Sequence, residues 1–253
     1  MEAVLGRRGR GRTVALGALA VLLAVACGGD EKKNDTTAGK DSSSAGRPSV
    51  EKAAAAIGDK LDKGSLPVLF AGTSLTAGLG LDPDSAFPAL IERKADSINL
   101  HIRAINAGLS GETSAGLARR IEWLLTGPGQ IFVIESGAND GLRGIDVEDT
   151  YTNLAMVIDA IRDVRPKATI FLMQMEAPPN MGAKYAKAFH DMYKELAYDR
   201  KVWLVPFLLE GVAGKPELNQ ADGIHPNAKG ERIVAQNVWR AIGPVIVPGL
   251  SVK

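Results

Sequence analysis

From Leu66 onward, short apolar runs alternate with longer segments in which apolar residues recur every three or four positions. The runs are 66–71, 101–107, 130–136, 168–175 and 201–207. Between them the spacing predicts helices at about 84–97, 113–126, 148–164 and 182–199, with a last one at about 227–241. Ile121, Leu124 and Leu125 mark one apolar stripe, and Leu154, Val157, Ile158 and Ile161 another. Strands that are apolar along their whole length need cover on both faces, and each intervening helix supplies a crossover. Together these features predict an α/β fold, a three-layer α/β/α sandwich around a central parallel sheet, flavodoxin-like in kind. Ligands of such sheets bind beyond the C-terminal ends of the strands. The residues just past those ends are therefore the ones to search for chemistry.

The 253 residues, 45% hydrophobic and 23% charged, suffice for one sizeable core. The N-terminus reads differently from the rest. Arg7, Arg8, Arg10 and Arg12 precede Thr13 to Ala26, an apolar run of 14 residues that is too short to span a bilayer. Residues 1–26 read as a secretory signal peptide. Ala24-Val25-Ala26-Cys27 resembles the end of a lipoprotein signal, with Ala24 where Leu is usual, so Cys27 is the expected lipidation site. Cys27 is the only cysteine, and no disulfide within the chain is expected. Residues 27–49 are almost wholly polar and read as a disordered tether. The folded domain is assigned to residues 50–253, and its Ala-rich start, Val50 to Lys63, is expected to form a short helix packed on the domain edge. Without residues 1–26, which carry four Arg and one Glu, the formal charge falls from +1 to −2. That balance offers no basic footprint for nucleic acid.

Two places beyond strand ends carry groups that suit acyl chemistry. The strand 66–71 runs into Gly72-Thr73-Ser74-Leu75-Thr76-Ala77-Gly78, which sets the Ser74 hydroxyl among small residues at a strand end. Far along the chain, Asp222-Gly223-Ile224-His225-Pro226 puts a carboxylate three residues before a histidine. A carboxylate that close can hold one ring nitrogen and leave the other as a base. Taken singly, each has a plainer reading: Ser74 as a helix cap, Asp222-Gly223 as a turn, and Asn139-Asp140-Gly141 as a turn within 137–141. His101 at a strand start and His190 in a polar-faced helix are read as structural. Met173, Met175 and Met181 are read as core or pocket lining. The histidines lack metal-ligand spacing, and no phosphate loop or dinucleotide fingerprint is present, so neither metal nor cofactor is expected.

Four separated blocks together resemble those of the SGNH (GDSL-like) hydrolase superfamily. They are Gly72–Gly78, Asn106–Ser114, Glu135–Gly144 and Asp222–Pro226. Asp82–Leu90, Ala177-Pro178-Pro179-Asn180 and Leu218-Asn219-Gln220 are similar to the branch of bacterial arylesterases, acyl-thioesterases and lysophospholipases. The resemblance covers about residues 66–245. It implies a catalytic triad of Ser74, Asp222 and His225. It also implies an oxyanion hole made of the Ser74 N–H, the Gly111 N–H and the Asn139 side-chain amide. The family's first block normally reads Gly-Asp-Ser, and this chain has Thr73 in place of the Asp.

The expected protein is thus an exported serine esterase, held on the cell envelope by lipidated Cys27 and monomeric. It would hydrolyse aryl or short-chain acyl esters, with thioesters and lysophospholipids as further substrates the resemblance implies. A carbohydrate or cell-wall O-acetyl esterase is the rival within enzymes. A surface lipoprotein that binds a ligand without catalysis is the rival outside them.

Overall fold

The computed structural model describes residues 64–247. The expected signal peptide, Cys27, the tether and the helix over 50–63 lie outside them. The five apolar runs form five strands: β1 (Leu66–Gly72), β2 (Ile102–Gly108), β3 (Ile131–Ile134), β4 (Thr169–Met173) and β5 (Trp203–Val205). Seven helices join them: α1 (Ser74–Ala77), α2 (Phe87–Asp96), α3 (Ser114–Leu124), α4 (Ala138–Arg143), α5 (Val147–Val164), α6 (Ala183–Asp199) and α7 (Ala228–Ile246).

All pairings are parallel and the strand order is β2-β1-β3-β4-β5. β3 is buried at every residue and β1 at all but its first, as strands covered on both faces must be. Helix α2 packs against α7 on one face, while α3, α5 and α6 pack side by side on the other. This is the three-layer sandwich that the alternation predicts. Phe70, Phe132 and Phe171 of three adjacent strands are fully buried, with Phe87, Leu117, Ile158 and Phe189 packed from the helices.

Side-chain caps fix several helix starts. The side chains of Thr113, Asp146 and Asn227 accept backbone N–H groups at the starts of α3, α5 and α7. Several elements differ from the sequence reading: Ser74–Ala77 is a short helix it did not predict, and β3 and β5 are shorter than the runs 130–136 and 201–207. The 137–141 turn is the start of α4, entered through Gly137 at φ 108°. Helix α7 runs past 241 to Ile246 with Pro244 inside its last turn. A proline there removes only one intrahelical N–H and leaves the earlier turns intact.

The order of strands changes direction between β1 and β3. The chain moves from β1 outward to β2, then returns past β1 to β3. Crossovers leave this point on opposite faces, which opens a crevice at the carboxyl ends of the two strands. Ser74 follows β1 and Asn139 follows β3, so both stand at that crevice.

Candidate active site

Ser74 is the first residue of α1, and Thr73, in extended conformation, is its N-cap. His225 and Asp222 lie in the loop before α7, where the Gln220 N–H donates to the His225 carbonyl at 2.8 Å. The three side chains form one line. Ser74 Oγ is 2.8 Å from His225 Nε2, and His225 Nδ1 is 2.7 Å from Asp222 Oδ2. A carboxylate accepts only, so Nδ1 carries the proton and Nε2 is free to accept from the serine. Asp222 Oδ1 also accepts the backbone N–H groups of Ile224 at 2.9 Å and His225 at 3.0 Å. These bonds from the His225 backbone and ring and from Ile224 pull the Asp222 carboxyl down to about 2. It is therefore ionised at any pH where the imidazole could act as a base.

The serine and histidine open into a cavity of about 520 Å³. Leu75, Leu142, Met175, Phe207, Leu209 and Ile224 give it apolar walls, and Asn139 lines it as well. Gly111 is on the adjoining β2–α3 loop. Its carbonyl accepts from Arg143 Nη2 at 2.9 Å, and the next carbonyl, that of Glu112, accepts from Asn139 Nδ2 at 2.9 Å. One amide proton of Asn139 is thereby committed to the loop and the second is left for a ligand. Gly111 has φ 77° with open space where a side chain would stand, so a ligand can approach its backbone closely. The arrangement can take a proton from a hydroxyl, and Asn139 lines the same cavity as that hydroxyl.

Sequence reasoning missed the supports of this site. Glu135, at the end of β3, is buried beneath Ser74. Its carboxylate accepts the Thr73 N–H at 2.8 Å, the Thr73 hydroxyl at 3.0 Å, the Thr76 hydroxyl at 2.9 Å and the Thr76 N–H at 3.3 Å. Burial raises its carboxyl above the ordinary value, and the four donors oppose that rise. Glu231 of α7 accepts the Phe87 N–H at 2.8 Å and is pushed up to about 8, by burial first and by the charge of Glu135. Arg120 pairs with Glu112 at 2.7 Å, and its Nη2 donates to the carbonyls of Ala107 at 2.8 Å and Gly72 at 3.3 Å. It ties the ends of β1 and β2 to the loop that carries Gly111. Asp140 accepts from the N–H and hydroxyl of Ser114 and so joins α4 to the start of α3. In the sequence Glu135 shows only as the first residue of the third family block, a charge in line with four apolar strand residues, with no role attached to it.

Among the described residues no group of three or more His, Cys, Asp or Glu is placed to hold a metal ion. None of the described helices is long and apolar enough to cross a membrane.

Residues 70–233 match the GDSL-like Lipase/Acylhydrolase family. The chain is 38% identical over 180 residues to Esterase TesA of Pseudomonas aeruginosa, covering 71% of this chain and 89% of that protein. It is 35% identical over 180 residues to the Thioesterase 1/protease 1/lysophospholipase L1 of Escherichia coli, covering 71% of this chain and 84% of that protein. The crystal structure of the psychrotrophic esterase EstA from Pseudoalteromonas, inhibited by monoethylphosphonate, aligns with a TM-score of 0.68 at 34% identity. That alignment covers 71% of this chain and 98% of the other. With sheet order, site position and these likenesses in agreement, the chain belongs to the GDSL-like (SGNH) hydrolases and is a serine ester hydrolase.

Proposed function

We propose that the protein hydrolyses carboxylic esters through an acyl intermediate on Ser74. His225 Nε2 takes the Ser74 proton as Oγ attacks the carbonyl, then returns it to the departing alcohol. Asp222, already ionised, balances the imidazolium and holds its orientation. The Ser74 and Gly111 N–H groups and the Asn139 amide receive the developing oxyanion. A water activated by the same imidazole then releases the acid. The observation that carries this reading is the unbroken line from Ser74 Oγ through His225 to Asp222, opening on the apolar cavity.

The substrates in this reading are aryl and short-chain acyl esters, extending to thioesters and lysophospholipids. The apolar walls of the cavity support acyl chains longer than acetate, and the Escherichia coli relative's name adds thioesterase and lysophospholipase activity for that protein. The reading includes export through residues 1–26 and lipidation of Cys27, with residues 28–49 as the tether to a monomeric domain. Release of p-nitrophenol from a chain-length series of esters tests the chemistry. Activity should vanish in Ser74→Ala, and activity that persists there would overturn the mechanism. Release of acetate alone would favour the O-acetyl esterase. Cys27→Ser should move the protein from the membrane fraction to the soluble one and abolish incorporation of a labelled fatty acid.

A further inference from the structure

The catalytic cavity has apolar walls, but one carboxylate stands in them. Glu176 lies three residues beyond the end of β4, on the same edge of the sheet as Ser74, and it lines the cavity with Met175, Ala177, Phe207 and Ile224. The acyl-transfer steps above do not use it. Its position is fixed from behind. Gln174 Nε2 donates to Glu176 Oε1 at 2.7 Å, and His190 Nδ1 lies 2.7 Å from the same oxygen. On the other side of the ring, Lys194 Nζ lies 2.7 Å from His190 Nε2. An ammonium only donates, so Nε2 accepts and the proton of a neutral imidazole sits on Nδ1, directed at Glu176. Gln174 Nε2 also lies 2.7 Å from Nδ1, so the amide and the ring converge on one carboxylate oxygen. Glu176 Oε2 has no partner among the described residues, and the side chain is 33% exposed. The Lys194 charge stands on the far side of the imidazole, away from the carboxylate.

We propose that Glu176 is a specificity-determining residue that selects substrates by charge. It favours esters bearing an ammonium group in the part seated in this cavity, and it disfavours esters bearing a carboxylate there. The proposal rests on the reading of Ser74 and His225 as the reacting pair. A negative charge held in an apolar wall acts on a ligand charge a few ångströms away through a medium less screening than water, although partial exposure weakens the effect. Two unit charges about 6 Å apart at an intermediate effective dielectric differ from the neutral case by on the order of tenfold.

The test uses the full chain and matched pairs of esters in which trimethylammonium is replaced by its neutral isostere, tert-butyl. On the acyl side the pair is p-nitrophenyl 4-(trimethylammonio)butanoate and p-nitrophenyl 5,5-dimethylhexanoate, with the p-nitrophenyl monoester of glutarate as the anion. On the alcohol side it is choline butanoate and 3,3-dimethylbutyl butanoate. The readout is the ratio of kcat/KM for the cation to that for its isostere within each protein, so a general change in turnover cancels. On the side seated against Glu176 the parent should prefer the cation by about tenfold, and Glu176→Gln should bring the ratio near one and raise relative use of the anion. Ratios that are the same in parent and Glu176→Gln for both pairs would overturn the proposal. Calorimetric binding of the same pairs to Ser74→Ala reads the preference without turnover, and there too equal affinity for cation and isostere would overturn it. Failure of the hydrolysis reading is thereby told apart from failure of charge selection.

Discussion

The family's first block carries an aspartate where this chain has Thr73, so Thr73→Asp is the most informative single change. In the structure, Thr73 Oγ1 lies 3.0 Å from both oxygens of Glu135, and no cation is among the groups bonded to that carboxylate. An aspartate at 73 would bring a second carboxylate to a similar distance inside a dry site. Two carboxylates so close do not both ionise, and one keeps its proton. In the unfolded chain both titrate near 4. The folded variant therefore holds one more proton than the unfolded variant over the pH range between about 4 and the raised value of the pair. Stability is then full below the unfolded value and falls as pH rises toward the folded one, by about 1.4 kcal/mol per pH unit at most. Relative to the parent, Thr73→Asp should lose up to about 4 kcal/mol between pH 5 and pH 8.

Urea unfolding at each pH, followed by tryptophan fluorescence, measures this. The parent has a slope of the same sign from Glu135 and Glu231, both raised, so the informative quantity is the difference between the two curves. Thr73→Val is the control. It removes one hydrogen bond to Glu135, about 1.5–3 kcal/mol, and adds no titrating group. Losing that donor lets the Glu135 carboxyl rise further, so the deficit of this variant grows with pH, but by less than that of Thr73→Asp. A Thr73→Asp deficit that stays constant from pH 5 to 8, or that shrinks as pH rises, would refute the account of Glu135 as a buried acid that meets residue 73 with no cation bonded to it.

Other changes probe the site and its supports. Asn139→Ala should lower kcat about 10²–10³-fold with KM little changed, as expected for a donor that acts on the transition state. Asp222→Asn replaces an acceptor with a donor at His225 Nδ1 and favours the wrong tautomer, so kcat should fall about 10³–10⁴-fold. Because Asp222 titrates at about 2, the acid limb of the parent's pH–rate profile should lie well above that value and belong to another group. A side chain at Gly137 would put Cβ 2.0 Å from Tyr193 Oη at φ 108°, so Gly137→Ala should cost about 2–4 kcal/mol. Tyr193→Phe should recover part of that loss in a double-mutant cycle, although alone it loses the bond to the Ser136 carbonyl. Arg120→Met leaves Glu112 buried without its partner and should cost about 3 kcal/mol in urea unfolding.

The layers of the fold were legible because every strand is apolar for most of its length and every long helix carries a stripe. What lay beneath the resolution of that pattern is local. Helices α1 and α4 have 4 and 6 residues, less than two turns, so no apolar period can declare them. The end of α7 escaped because proline normally reads as a stop, yet here the helix runs on past Pro244 to Ile246. The run 201–207 is longer than β5 because apolar Val202 and Phe207 flank the strand and Phe207 goes on to line the cavity, whereas 130–136 overshoots β3 at the polar Gln130, Glu135 and Ser136, where the ladder stops at Ile131 and Ile134.

The candidate site divides in the same way. Ser74, Asp222 and His225 could be read because their own neighbours in sequence mark them: a strand end, small residues, and a carboxylate three positions before an imidazole. Glu135 has no such neighbours. Its meaning depends on Ala71 standing opposite Ile134 in the sheet, which places the next residues of β1 and β3 beside each other. Only parallel pairing of strands more than sixty residues apart brings the Thr73 and Thr76 donors to that carboxylate. The same pairing sets Ser74 and Asn139 on either side of the crevice. The crossing of the chain between β1 and β3 therefore positions both the reacting groups and the buried acid that holds their loop. A substitution at 73 acts through that acid rather than through His225, and this is why it should register first in how stability depends on pH.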